Sequence, residues 1–244
     1  MAMPSYLLTL KTLAVRYVGS KRKLAKGILP YIEKALKVLP KGKYIEPFVG
    51  GCNMIDQVKH HTRIGCDANK YLIELLKVSR SNPEKLLEVK CLSRPGYKYL
   101  RSEKESYYEW YVGLMGFMPT FNNQWYHSFS EDLNPGKFSS SIRTLINQDL
   151  SGIKLINCDY QKIPVGKGNV IYCDPPYIIE DYYKMSFNHE EFYEWVRNAS
   201  KDNIVLVSEY EMPADFTCIW QKTVKPGINP IARNKVEKLF IYKL

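Results

Sequence analysis

Apolar residues recur at helical spacing soon after Ser20, with Leu24, Ile28, Ile32, Leu36 and Leu39 falling on one face. Ser20 is a candidate cap for this helix. Pro30 is expected to kink or interrupt it, because proline has no N–H and crowds the preceding turn. A short strand follows, Tyr44-Ile45-Glu46-Pro47-Phe48, and runs into the glycine turn Gly50-Gly51. The pattern then predicts a helix from about Asn53 to Lys59, a second strand over Arg63–Asp67, and a helix whose apolar side is Leu72, Ile73, Leu75 and Leu76. Between about Ser79 and Leu150 the texture changes to short helical stretches broken by Pro and Gly and dense in Tyr, Trp, Phe and Asn. Regular order resumes with strand Ile153–Asn157, leading to Cys158-Asp159-Tyr160, and strand Asn169–Cys173, leading to Asp174-Pro175-Pro176-Tyr177. Asn188 and Glu191 form a capping-box-like start to a helix through Ala199. A strand over Asn203–Ser208 and two final strands, Thr217–Val224 and Lys238–Leu244, complete the chain, the last two suited to an antiparallel hairpin at a sheet edge. Alternating strands and helices imply an α/β fold with a largely parallel sheet covered on both faces. Residues 1–78 and 151–244 read as that domain, and 79–150 as an inserted second lobe.

Composition narrows the function classes. The 244 residues are 45% hydrophobic and 25% charged, as in a globular protein with one sizeable core. No apolar run reaches the ~20 residues that span a bilayer, and Met1–Leu10 lacks a charged leader and cleavage site, so no signal peptide or membrane contact is expected. Six cysteines are scattered without a CxxC pair, which fits reduced thiols in a cytoplasmic protein. His60, His61, His127 and His189 show no metal-ligand spacing, so neither a metal site nor a disulfide scaffold is expected. The formal net charge of +10 is uneven: residues 1–45 carry ten basic groups against one acid, Glu33, and residues 77–104 carry eight against three. Such a localised field attracts polyanions, although a lysine-rich surface has the same composition.

Candidate chemistry gathers at strand ends, where open α/β sheets bind their ligands. The glycines of Phe48-Val49-Gly50-Gly51 allow close approach to the backbone, and Asp67, ending the second strand, is suited to accept ribose hydroxyls. A tight turn and a helix cap would use the same residues. Neither GxGxxG nor GxxxxGK[ST] is present, so dinucleotide and P-loop chemistry lack their signal. Asp174-Pro175-Pro176-Tyr177 is more specific, a tetrapeptide that average usage gives by chance on the order of once in a thousand such chains. Its prolines stiffen the main chain, leaving the Asp174 carboxylate and the Pro175 carbonyl as fixed acceptors beside the flat face of Tyr177. Such a set suits an exocyclic amine on an aromatic base, which must first leave its duplex. Orientation and preorganised electrostatics, without a covalent enzyme intermediate, would make that nitrogen nucleophilic.

On these residues the chain resembles the Dam-like, D12 class DNA adenine N6-methyltransferases, which use S-adenosylmethionine and release S-adenosylhomocysteine. Four segments carry the resemblance: Arg16-Tyr17-Val18-Gly19-Ser20-Lys21, Glu46-Pro47-Phe48-Val49-Gly50-Gly51, Asp67-Ala68-Asn69 and Asp174–Tyr177. The resemblance implies a Rossmann-like methyltransferase fold, mostly parallel with an antiparallel edge hairpin, and an inserted, mainly helical target-recognition lobe over 79–150. It implies cofactor contacts from Tyr17, Gly19, Lys21, Pro47, Phe48, Gly50, Gly51, Asp67, Ala68, Asp159, Tyr160 and Asp174, with Lys21 near the cofactor carboxylate. Asp174, Pro175 and Tyr177 would be catalytic, and no metal is implied. Double-stranded DNA would be the partner of a monomer or weak dimer. Where many relatives have FxGxG, Cys52 replaces the last glycine.

In the insertion, Arg94 and Lys98 are candidates to grip phosphates, and Asn122 and Asn123 to pair with adenine edges. Tyr107, Tyr108, Trp110 and Tyr111 read instead as the insertion's own core. Alternatives remain an amino-methyltransferase acting on cytosine N4 or RNA adenine, or a nucleic-acid-binding relative without catalysis. A C5-cytosine mechanism is disfavoured, because Cys173 precedes Asp174 and no Pro-Cys pair is present.

Overall fold

A computed structural model describes residues 20–120, 124–130, 132–177, 187–224 and 235–242. Tyr17, Gly19, Asn122 and Asn123 lie outside these residues. The strands are β1 (Tyr44–Glu46), β2 (Arg63–Asp67), β3 (Ile153–Asn157), β4 (Val170–Cys173), β5 (Ile204–Glu209), β6 (Phe216–Val224) and β7 (Lys235–Tyr242). They form one sheet in the order β3-β2-β1-β4-β5-β7-β6. The first five run parallel, while β7 lies antiparallel between β5 and β6. The parallel sheet and antiparallel edge expected of the chain are both present, in a Rossmann-like methyltransferase arrangement. Strand order reverses between β1 and β4, which places a ligand crevice beyond their carboxyl ends.

The period-2 alternation of each strand sorts its side chains to two faces. Tyr44, Val170, Tyr172, Leu206 and Leu239 join the core beneath α1 (Ala25–Val38) and α2 (Lys70–Ser81). Their strand neighbours Ile45, Ile171, Cys173, Val205, Val207 and Phe240 pack on the opposite face with Phe192 and Val196. Those two residues belong to α7 (His189–Ser200), which Asn188 caps by accepting from the Glu191 N–H at 3.2 Å. Between α2 and β3 come α3 (Pro83–Leu87), α4 (Arg94–Ser102), α5 (Glu109–Phe117) and α6 (Pro135–Ile146). Their buried residues, among them Tyr97, Leu100, Leu114, Phe138 and Ile142, are continuous with the core of α1 and α2.

Several local expectations are corrected. Pro30 does not interrupt α1, whose buried face of Ala25, Ile28, Ile32, Ala35 and Leu36 holds the helix to the sheet through the proline. Ser20 caps a 3-10 turn, Lys21–Lys23, rather than α1 itself. The helix anticipated from Asn53 to Lys59 is only a 3-10 turn at Ile55–Gln57. Cys66 and Cys158 are joined in a disulfide, because β2 and β3 pair in register up to Asp67↔Asn157 and bring the following Cys158 beside Cys66. Cys52 and Cys173 are buried free thiols, as expected. Tyr107 and Tyr108 are 40% and 75% exposed, so they are not core, whereas Trp110 and Tyr111 pack against it. The aromatic density of this stretch exceeds what its short helices can bury.

Helices α2 and α5 are in close contact at Gly113, where an added Cβ would collide with the Tyr71 carbonyl. Gly113→Ala is therefore expected to cost about 1–3 kcal/mol through overpacking. Urea titration checks this, and an unchanged midpoint would contradict the packing.

Candidate active site

The carboxyl end of β1 leads directly into a backbone cradle. Val49 N–H donates to the Cys66 carbonyl at 2.8 Å, tying the turn to β2. Gly50 and Cys52 both have left-handed backbones, with φ of 48° and 56°. Glycine adopts that conformation freely, but cysteine at the second position is strained and must be held. Gln148, just beyond α6, supplies the restraint: its Nε2 donates to the carbonyls of Gly51 and Cys52 at 2.9 and 3.0 Å. Asp56 accepts from the same amide at 3.3 Å and pairs with Arg22, anchoring the turn at Lys21–Lys23 to the cradle.

Asp67 lies opposite this turn. One carboxylate oxygen accepts from Gly50 N–H at 3.1 Å and the other from Asn69 N–H at 2.9 Å. Burial pushes its pKa up, opposed by these backbone donors. Asn69, in turn, caps α2 by accepting from Tyr71 and Leu72. A carboxylate has about four acceptor positions, so Asp67 retains capacity for hydroxyl donors. An aromatic wall completes this side, with Phe48 at 5.2 Å from Tyr160 and 5.7 Å from Phe187 between ring centres.

Beyond β4, Asp174 faces the same space. Its Oδ1 is 3.0 Å from the Lys21 ammonium, which is itself 3.8 Å from Glu237 Oε2. Burial raises the Asp174 carboxyl to about 6, with Lys21 opposing and Glu237 reinforcing the rise. Lys21 also lies 4.3 Å above the centre of the Tyr177 ring. The Tyr177 phenol donates to Glu237 Oε2 at 2.9 Å, and the edge of Tyr210 meets its ring at 4.6 Å. Burial also raises the Tyr177 pKa, so this phenol stays protonated and donating.

These groups line one cavity of about 440 Å³. It gathers Lys21, Pro47, Phe48, Gly50, Gly51, Asp67, Ala68, Asp159, Tyr160, Asp174, Pro175 and Tyr177, all singled out from sequence. Arg94 and Lys98 are elsewhere, on the exposed face of α4 opposite the buried Tyr97 and Leu100. Sequence reasoning missed Asn53, Trp125, Phe187, Tyr210 and Glu237 as cavity residues. Glu237 had a legible signal: it shares the inward face of β7 with Leu239, an unusual place for an acid. Among the described residues no group of His, Cys, Asp and Glu is arranged to hold a metal, and no helix is long and apolar enough to cross a membrane.

The family model for D12 class N6 adenine-specific DNA methyltransferases matches residues 17–134, which include the cradle and Asp67. That match covers just under half of the chain. Methylation of adenine N6 in DNA is the activity that this match supports. Asp174–Tyr177 lies outside the matched residues, yet the fold delivers it to the same cavity. A relative of this methyltransferase is the Type II methyltransferase M1.LlaDCHI of Lactococcus lactis subsp. cremoris, 27% identical over 206 residues. That match spans 72% of this chain and 70% of the relative. The solved structure of Haemophilus influenzae HI0767 aligns over 91% of this chain and 98% of that one, at 13% identity and a TM-score of 0.36. A likeness that slight bears on neither fold nor function.

The restraint on the methyltransferase's cradle is testable. Gln148→Ala leaves two carbonyls without their donor and is expected to cost about 1–3 kcal/mol. Denaturant unfolding measures the loss, and wild-type stability would show that the cradle holds itself.

Proposed function

We propose that this chain is a site-specific methyltransferase that acts on a flipped-out adenine in double-stranded DNA, with S-adenosylmethionine held against the glycine cradle and Asp67. The residues fit that cofactor. The cavity is in the size range of small-molecule sites, its backbone turn allows close approach, and Asp67 offers acceptors for ribose hydroxyls. Phe48 and Tyr160 supply apolar surface beside it. When bound, the cofactor supplies a methyl group on a positively charged sulfur.

The chain's own groups prepare the nucleophile. Asp174 and the Pro175 carbonyl accept the amine's N–H groups, which draws the nitrogen lone pair away from ring conjugation. Positive charge that develops on this nitrogen is met by Asp174, with Glu237 a second carboxylate nearby. As the carbon–nitrogen bond forms, the amine must shed one proton. A carboxylate whose pKa is near 6 can take it and return it to water. The single observation that carries this reading is the convergence of Asp174, Pro175 and Tyr177 with the cradle and Asp67 on one cavity. The Type II assignment of the Lactococcus relative supports site-specific modification. Arg94 and Lys98 are proposed DNA contacts, on an exposed face that also carries Arg101. Residues 79–150 are proposed as the target-recognition region.

Expression in a host without adenine methylation, followed by modification sequencing, tests the function. N6-methyladenine at a defined motif is expected, whereas unmodified DNA or methylated cytosine would overturn the reading. Asp174→Asn should lower the methyl-transfer rate by at least about a hundredfold while cofactor binding persists. Single-turnover transfer and calorimetry separate the two effects, and wild-type turnover would remove Asp174 from catalysis.

The raised Asp174 pKa also sets a pH dependence. The group carries its negative charge and can take a proton only when ionised, and ionisation is lost as pH falls through about 6. Below that point kcat/KM should fall about tenfold per pH unit. A profile flat down to pH 5 would contradict the assignment.

A further inference from the structure

Three distant parts of the chain meet at the inner end of the cavity: Lys21 before α1, Asp174 and Tyr177 after β4, and Glu237 on β7. The Lys21 ammonium sits against Asp174 Oδ1 at 3.0 Å and over the Tyr177 ring at 4.3 Å. Under the function proposed above, those are the two groups that the target adenine must engage. An ammonium thus stands against Asp174 and over the ring face that an incoming base needs, so the base must move it aside. Lys21 is only 5% exposed, so an ammonium displaced there without an anionic partner would carry its full desolvation cost.

Glu237 removes that difficulty. Its Oε2 is already 3.8 Å from the ammonium, so a second carboxylate is within reach when the amine claims Asp174. The same oxygen accepts the Tyr177 phenol at 2.9 Å, which fixes the ring while the lysine moves. Glu237 shares a face of β7 with the buried Leu239, where an acid has no packing rationale of its own.

We propose that Glu237 is a positioning residue of this methyltransferase: it receives the Lys21 ammonium when the target amine claims Asp174, and it holds the Tyr177 ring in place for the base. The inference rests on the adenine reading of the site.

Glu237→Gln tests it, because the amide preserves shape and an acceptor for the phenol but cannot pair with the ammonium. The probe is a duplex carrying the motif found by modification sequencing, with the target adenine retained and 2-aminopurine as its neighbour to report base extrusion. E237Q is expected to reduce the extrusion signal and to lower single-turnover methyl transfer by about ten- to a hundredfold, the scale of one charge-assisted contact. Cofactor affinity should stay at the wild-type value. In a Lys21→Met background, which has no ammonium to relocate, Glu237→Gln should leave the extrusion signal unchanged. Wild-type extrusion and transfer in E237Q would overturn the proposal. An equal penalty in the Lys21→Met background would do the same, as would loss of cofactor binding, which would mark Glu237 as a support of the fold. Failure of the wild-type protein to methylate adenine would instead sink the functional reading beneath it.

Discussion

The Lys21 ammonium, buried at the carboxyl edge of the sheet, holds together stretches that the chain keeps far apart. It touches Asp174 beyond β4, the ring of Tyr177 and Glu237 on β7. Removing one partner of such a buried pair costs about 3–5 kcal/mol, because the remaining charge is stranded away from water. The arrangement therefore fixes the inner end of the cavity. It also leaves two carboxylates facing one cation, an excess of negative charge where a neutral amine is proposed to become cationic. Burial resists that excess, and its resistance appears as the raised pKa of Asp174.

The other end of the cavity depends on backbone rather than charge. Strand order reverses at β1 and β4, so the loops after these strands diverge and leave a crevice between them. The loop after β1 fills one wall with left-handed turns at Gly50 and Cys52. At Gly65, which pairs with Glu46 across the ladder, a side chain would run into Val49, so β2 must pass close beneath the turn. Cys52 shows that glycine is not the sole solution for the second turn. Gln148 holds its carbonyl, and Arg22 with Asp56 ties the same turn back to the segment bearing Lys21. Cradle and charge cluster are thereby one connected unit.

Most of the fold was legible because the periodicities are strong. The edge hairpin, the parallel strands and α7 with its Asn188 cap follow from alternation and capping alone. Pro30 misled because local propensity is outweighed by a buried face that continues on both sides of it. The stretch after Asn53 misled because its few apolar positions cannot distinguish one 3-10 turn from a helix. The site was legible wherever residues cluster at strand ends, as at Gly50, Asp67 and Asp174. Glu237 escaped because its approach to the site is created by an antiparallel strand returning between β5 and β6, and its inward position alone does not say what it meets. Lys21 was recognised as a site residue, but its partner was not, since sequence cannot rank a carboxylate of the protein against one of a ligand.

Helix α2 joins the Asp67 side of the cavity to the insertion. Its N-cap, Asn69, donates its own N–H to Asp67, so the acid's position is coupled to the start of the helix. Two residues further on, Tyr71 stacks on Trp125 at 5.4 Å, and Trp125 reaches the cavity wall from the insertion. Trp125 fits there only because Gly116 of α5 has no side chain to obstruct it, while Gly113 lets α5 approach Tyr71. The insertion is thus seated on the helix that presents Asp67, through contacts too tight to shift independently. A displacement of the insertion would bear on Trp125 and the start of α2 before it reached Asp174. In this geometry the seat of the insertion and the position of Asp67 share one structural element, whereas the Lys21 cluster is built from other parts of the chain.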